Sequence, residues 1–315
     1  MTTALVTGGA GFIGSHLVER LLGAGCTVRV LDDFSTGRRE NLSSVAGHER
    51  LSVIAGSVTD AACVASAVRG ADAVYHLAAA VGVTLIVAQP VRTLETNVRG
   101  TETVLAEASR AGVRRFFLAS SSEVYGKSDR IPFDEDDDLL IGSSRYCRWG
   151  YACSKAVAEF LAVAYARERG LPLVVGRLQV GAYGMVVPRF VRAALAGEPL
   201  EVYGTGRQTR AFIDVRDMVE GIHRLTDRAG PEPLIVNLGG EREIAIADLA
   251  ARVIRLAGSS SAVRQVSYEA AYGEAIDDME RRCPSLARAR AVLGSAWPHI
   301  SLDASLETII AFHRS

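Results

Sequence analysis

The segment TGGAGFIG, residues 7–14, constrains this chain more than any other. It joins a short apolar run, ALVTG at 4–8, to FIGSHLVERLLGAG at 12–25, where Ile13, Leu17, Leu21 and Leu22 share one helical face. A strand that turns directly into a helix through Gly8, Gly11 and Gly14 gives each glycine a task. Gly8 permits the tight turn. Gly11 lets a pyrophosphate lie against bare backbone at the positive end of the helix dipole. Gly14 lets the helix pack closely on the strand. Phe12 and Ile13, which open the helix, belong to the same cradle. Asp32 ends the second strand, TVRVLD at 27–32, about 20 residues further on. A carboxylate there accepts both adenosine ribose hydroxyls and repels a 2′-phosphate, which favours NAD over NADP, although Arg38 and Arg39 follow closely.

The rhythm continues. LSVIAG (51–56), DAVYHLAA (72–79), RRFFLASS (114–121) and LPLVVGRL (171–178) read as strands. Helices are predicted near 61–68, over 91–111 with Gly112 closing it, and over 151–170 with Gly170 closing it. Continuous apolar strands alternating with helices imply an α/β fold, a doubly wound parallel sheet of the Rossmann kind covered on both faces. After residue 178 the pattern changes, with helices near 188–196, 215–226, 246–258 and 302–313 and a strand at 234–240. Residues 1–177 therefore form the NAD-binding domain and 178–315 a smaller substrate-binding lobe. The stretch 211–240 crosses back, AFIDV and LIVNLGG adding to the first domain. Ala78, after the fourth strand, and Asn97, in the long helix, are further cofactor candidates, Asn97 being as apt for structural support. His76 reads as packing under the cofactor.

A net charge of −1 gives no reason to expect nucleic acid or a membrane surface as partner. No apolar run is long enough to span a bilayer, and the N-terminus leads into the glycine turn rather than a cleavage site. The five cysteines are scattered without a CxxC pair, as for reduced thiols and not a disulfide or metal set. The expectation is a cytoplasmic protein. The acidic run DEDDD, 134–138, reads as a solvated loop.

Tyr151 and Lys155, four apart on a helix, share a face. They follow strand five, where a side chain can reach a nicotinamide. A free phenol titrates near pH 10, about three units too high for a base at neutrality. A neighbouring ammonium and an oxidised nicotinamide both favour the phenolate. Tyr151 then takes a proton from a substrate hydroxyl as hydride leaves the same carbon, and Lys155 also holds the nicotinamide ribose. Three serines, 120–122, end strand five, where open α/β sheets bind ligands; a hydroxyl there bridges Tyr151 and a substrate oxygen, with Glu123 beside it. Arg281 and Arg282 are candidates to pair with a diphosphate.

Taken in order, the glycine turn, YHLAA, TNVRGT, SSSEVYG, YACSK and GTGRQTRAFIDVRD resemble the extended short-chain dehydrogenase/reductases that act as nucleotide-sugar epimerases, dehydratases and decarboxylases. Ser121–Glu123 and RWGYACSK (148–155) look most like UDP-glucuronate decarboxylases. The resemblance implies a homodimer paired through the two long helices. It makes Ser121 the partner of Tyr151, sets Glu123 at the substrate carboxylate or C5, and gives Arg210 the place of an active-site arginine. Ser122, Arg189, Arg210 and Arg282 become substrate-binding candidates. It implies transient C4 oxidation by NAD, loss of the carboxylate of the 4-keto sugar as carbon dioxide, and formation of UDP-xylose or its 4-keto precursor. C4 epimerisation is the alternative, then 4,6-dehydration, then a non-catalytic NAD-binding protein. Ser122 counts against dehydration, since it stands where dehydratases carry the acid that expels water. Two departures stand out. The 178–188 segment lacks an expected asparagine and is about seven residues short, and Ser57 stands where relatives often carry Asp.

Overall fold

The computed structural model describes residues 2–179, 186–272 and 279–314. In chain order the first half runs β1 (Thr3–Thr7), α1 (Phe12–Gly23), β2 (Thr27–Asp32), β3 (Leu51–Ala55), α2 (Ala61–Val68), β4 (Ala73–His76), α3 (Val83–Ala88), α4 (Pro90–Arg110), β5 (Arg115–Ser121), α5 (Cys147–Arg169) and β6 (Leu173–Leu178). The second half runs α6 (Val186–Ala196), β7 (Leu200–Tyr203), β8 (Thr209–Ala211), α7 (Val215–Thr226), β9 (Leu234–Leu238), β10 (Glu243–Ala245), α8 (Ile246–Ala257), β11 (Val263–Val266), α9 (Tyr268–Tyr272), α10 (Ala287–Leu293) and α11 (Leu302–Arg314).

Seven strands form one parallel sheet in the order β3-β2-β1-β4-β5-β6-β9. One face is covered by α1 and α7, whose Leu17, Leu21, Met218 and Ile222 meet Trp297. The other is covered by α2, α4 and α5 through Val64, Val104, Leu105, Ala158 and Ala162. Burial on both faces explains why the strands are apolar throughout. The order reverses between β1 and β4, and the crevice at the carboxyl ends of those strands is where such sheets hold ligands. A separate core of Phe190, Val191, Leu249, Val253, Leu306 and Ile310 builds the smaller lobe from α6, α8 and α11.

Three expectations are corrected. LIVNLGG supplies β9 of the main sheet, but AFIDV does not join it: β8 ends at Ala211 and pairs antiparallel with β10. Helix α5 starts at Cys147, so Tyr151 stands one turn inside it. The acidic run is not simply solvated. Glu135 is 5% exposed. It accepts the Asn237 N–H at 2.7 Å, while Asp137 accepts the Asp134 N–H at 2.9 Å and Asp136 pairs with Arg288 at 2.7 Å. The short 178–188 segment lies partly outside the described residues, which resume at Val186.

Candidate active site

The glycine turn is built as its spacing requires. Gly8 has φ +71°, and a Cβ there would stand 2.7 Å from the Ala78 nitrogen, so the turn presses against the end of β4. A Cβ on Gly14 would lie 2.1 Å from the Gly8 oxygen. At Gly11 the nearest atom is the Gly8 oxygen at 3.2 Å. Gly11 caps α1 without any side-chain hydrogen bond to the helix's first turn. The first N–H groups of that helix, those of Phe12 and Ile13 among them, have no intrahelical acceptor and suit a pyrophosphate. The turn is pinned through Ala10, whose N–H donates to Asp32 Oδ2 at 2.9 Å. The Ala10 carbonyl accepts from the Arg38 N–H at 3.0 Å and from Asn41 Nδ2 at 2.7 Å. Asp32 also accepts the Phe34 N–H through Oδ1 at 2.8 Å. Each carboxylate oxygen thus takes one backbone donor and keeps acceptor capacity for ribose hydroxyls. Burial pushes its pKa up, and the two backbone donors pull it back. Arg39 stacks on Phe34, its guanidinium carbon 4.1 Å from the ring centroid. Cradle, capless helix and carboxylate fit NAD.

His76 and Asn97 serve the frame. His76 Nδ1 is 2.7 Å from Thr7 Oγ1 and Nε2 3.1 Å from Thr101 Oγ1. Burial, with the Lys155 charge nearby, lowers its pKa to about 3, so the ring stays neutral. Asn97 was expected at the cofactor, yet it is 1% exposed. Its amide clamps Ala80, accepting the N–H at 2.8 Å and donating to the carbonyl at 3.3 Å, and donates to Ser154 at 3.1 Å. It orients the segment after β4.

At the end of β5, three consecutive residues bind α5. The Ala119 carbonyl accepts from Lys155 Nζ at 2.9 Å. The Ser120 hydroxyl donates to Glu159 Oε1 at 2.5 Å. The Ser121 hydroxyl faces the Tyr151 phenol and lowers its pKa. The spacing of four thus brings Ser121, Tyr151 and Lys155 together, but the phenol is not primed as expected. Burial, followed by the Glu123 carboxylate, raises the Tyr151 pKa above its ordinary value. The charge acting the other way is Arg282, not Lys155. Lys155 is itself buried, which lowers its pKa to about 8 against the opposing pull of Glu159. One of its three ammonium donors is spent on Ala119, leaving two for ribose hydroxyls.

Glu123 is the centre of a charged cluster. Arg282 Nη2 lies 2.7 Å from its carboxylate and Arg148 Nη2 3.4 Å. All three side chains are mostly buried. The Arg210 guanidinium donates to the carbonyls of Thr209 at 2.7 Å and Glu280 at 3.5 Å. The arginine seated on Glu123 is Arg282. Ser122 is 1% exposed, and its hydroxyl is enclosed without a hydrogen-bond partner among the described residues. Arg189 lies on α6 in the smaller lobe, stacked 3.7 Å over the Tyr203 ring and donating to the Glu201 carbonyl at 2.9 Å.

Sequence reasoning missed Arg148 and the buried set Ser120, Glu159 and Arg177. Arg177 of β6 grips Glu159 with Nε at 3.1 Å and Nη2 at 2.9 Å. One signal was available: Glu159 continues the Tyr151–Lys155 spacing by another four residues, a charge on the face of α5 that must be buried.

The chain aligns with proteins of known activity over nearly its whole length. It is 36% identical to a UDP-N-acetyl-alpha-D-glucosaminuronate decarboxylase of Bacillus cytotoxicus, over 98% of this chain and 97% of that protein. It is 37% identical to UDP-glucuronic acid decarboxylase 1 of Xenopus tropicalis, over 98% of this chain and 72% of that one. Its fold superposes on the dTDP-glucose 4,6-dehydratase of Streptomyces venezuelae, solved with NAD bound, with a TM-score of 0.88 at 31% identity, covering 99% and 97% of the two chains. Residues 4–239, the glycine cradle through β9, match the model of one family, and the chain belongs to it: the NAD dependent epimerase/dehydratase family.

Proposed function

We propose that this protein decarboxylates a nucleotide-linked uronic acid, with UDP-glucuronate as substrate and UDP-xylose or its 4-keto precursor as product. The observation that carries this reading is the cluster of Arg148, Arg282 and Glu123 beside Tyr151. Arg148 and Arg282 flank the Glu123 carboxylate, and a planar guanidinium fork suits a second carboxylate from the sugar. An epimerase or dehydratase acting on a neutral hexose presents no sugar carboxylate to such a fork. The similarity to proteins named as uronate decarboxylases supports the same reading.

Bound NAD supplies the oxidising equivalent at C4 of the sugar. Tyr151, oriented by Ser121, accepts the C4 hydroxyl proton. Burial and Glu123 hold the phenol protonated in the free protein, so positive charge at the site must favour release of its proton, and Arg282 is placed to supply it. The resulting 4-keto acid carries its carboxylate β to the ketone. The electrons of the C5–carboxylate bond pass into the ketone, carbon dioxide leaves, and protonation at C5 restores the 4-ketone. UDP-xylose forms where the hydride given up at C4 returns to that carbon with the proton held by Tyr151, and the 4-keto sugar is the product where it does not. Arg148 and Arg282 hold the carboxylate before it leaves, and Glu123 sits within reach to manage protonation at C5. Arg189 extends the substrate site into the smaller lobe.

We also propose a homodimer joined through α4 and α5. Leu94, Val157 and Phe160 stand on their outer faces, and Phe160 is 71% exposed, an unusual position for a large aromatic. Among the described residues no helix is long and apolar enough to cross a membrane; the reading remains a cytoplasmic enzyme. One preparation tests both proposals. Incubated with NAD and UDP-glucuronate it releases carbon dioxide, and sedimentation gives the mass of two chains. Unchanged or merely C4-inverted sugar overturns decarboxylation, and a monomer mass overturns the dimer.

A further inference from the structure

We propose that Glu159 is a positioning residue for the Tyr151–Lys155 pair, lying inside the contact between α5 and the sheet, held there by Arg177, and acting through the Ser120 hydroxyl and through its charge one helical turn from Lys155. The inference rests on the reading that Tyr151 moves the proton.

The geometry is continuous. Arg177 and Ser120 are register partners on β6 and β5. Arg177 reaches across that pairing to grip both Glu159 oxygens, at 3.1 Å and 2.9 Å, and Glu159 accepts the Ser120 hydroxyl at 2.5 Å. Ser120 lies between Ala119, which holds the lysine, and Ser121, which meets the phenol. A shift of Ser120 along the helix therefore moves both neighbours. The ion pair is fully enclosed in the frame, with neither side chain exposed beyond 5%. Buried ion pairs are costly and are often replaceable by apolar residues without loss of stability, so stability alone gives little reason for one here.

The surrounding charges leave Glu159 as the anion acting on Lys155. On β4, His76 is neutral. In the turn after β5, Tyr125 lies under Arg177, 4.8 Å from ring centroid to guanidinium carbon, and Glu123 is engaged by Arg282. From the 133–137 loop the Glu135 carbonyl takes Arg177 Nη1 at 3.1 Å, while its carboxylate faces Asn237 and Arg288. From α4, Asn97 meets Ser154. Glu159 alone raises the lysine pKa against burial.

The sequence provides a direct test, because the chain has two lysines, Lys127 and Lys155. Protein labelled with carbon-13 at lysine Cε gives two NMR signals, and exposed Lys127 is the reference. In the natural protein Lys155 titrates near pH 8. In Glu159→Gln its midpoint falls by about one pH unit, with Lys127 unmoved, and Glu159→Asp restores most of the difference. Glu159→Gln strands the Arg177 charge and can prevent folding. Ser120→Ala, which keeps the ion pair, is the second variant. It lowers kcat about tenfold with KM within about twofold, and Ser120→Thr recovers most of the loss. A merely structural serine would change the melting temperature and leave both constants alone. A folded Glu159→Gln protein whose Lys155 midpoint matches the natural one overturns the proposal, as does a Ser120→Ala enzyme with unchanged kcat. The lysine titration requires neither NAD nor sugar, so its result stands apart from whether decarboxylation is the reaction.

Discussion

The two ends of the active site are made of different materials. The cofactor end is made of backbone: a glycine turn, a helix start without a side-chain cap, and one carboxylate that binds the turn as well as facing the ribose. Its parts lie within the first 41 residues apart from Ala78. The substrate end is made of charged side chains from segments far apart in the chain, Glu123 after β5, Arg148 on α5 and Arg282 beyond the smaller lobe. Backbone surfaces tolerate almost no added atom but need little electrostatic balance. Charged clusters tolerate changes of shape but fail when one partner is lost.

Substitutions test that contrast. Tyr151→Phe removes the proton acceptor and lowers turnover by about 10²- to 10⁴-fold, while calorimetric titration finds NAD affinity within about twofold. Comparable loss of NAD binding would mean that the two ends are not separable. Next in size is Gly14→Ala. Its methyl would stand 2.1 Å from the Gly8 oxygen, so urea unfolding shows a loss of about 2–4 kcal/mol. Gly11→Ala, whose methyl meets that oxygen at 3.2 Å, folds normally and loses NAD affinity instead. Equal stabilities for the two variants would break the account of the cradle. Smallest is Arg282→Gln. Loss of a charge-assisted contact worth about 1.5–3 kcal/mol lowers kcat/KM for UDP-glucuronate by about 10- to 150-fold and lowers the melting temperature, without effect on NAD affinity. An unchanged kcat/KM would return the carboxylate-binding role to Arg210.

What could be read from the sequence follows the same division. The glycine turn, Asp32 and the Tyr151–Lys155 face are set by short spacings on single elements, and spacing is what a sequence displays. The choice between Arg210 and Arg282 was hidden because their segments run side by side, the Thr209 N–H donating to the Glu280 carbonyl at 2.8 Å. Only the register decides which guanidinium reaches Glu123. Glu135 sits among aspartates and looks solvated, but the Asn237 N–H, from β9, needs an acceptor that no local pattern announces. Asn97 and Ser122 meet a related limit: a polar side chain near a ligand site can as well satisfy the frame as the ligand. The AFIDV run has strand-forming residues, but the position beside β6 is taken by β9.

The segment carrying Arg282 belongs structurally to the large sheet. The Arg282 carbonyl accepts Gln179 Nε2 at 2.7 Å. Phe133 exchanges backbone hydrogen bonds with Cys283 and Ser285 on either side of Pro284, and Asn237 Nδ2 donates to the carbonyls of Phe133 and Ser285. The Arg282 guanidinium is therefore moored to the same body as the phenol. Mutational drift within the helices of the smaller lobe can reshape that lobe and leave the distance between the two groups untouched, so the Glu123–Arg282 contact and the smaller lobe are free to change on separate schedules.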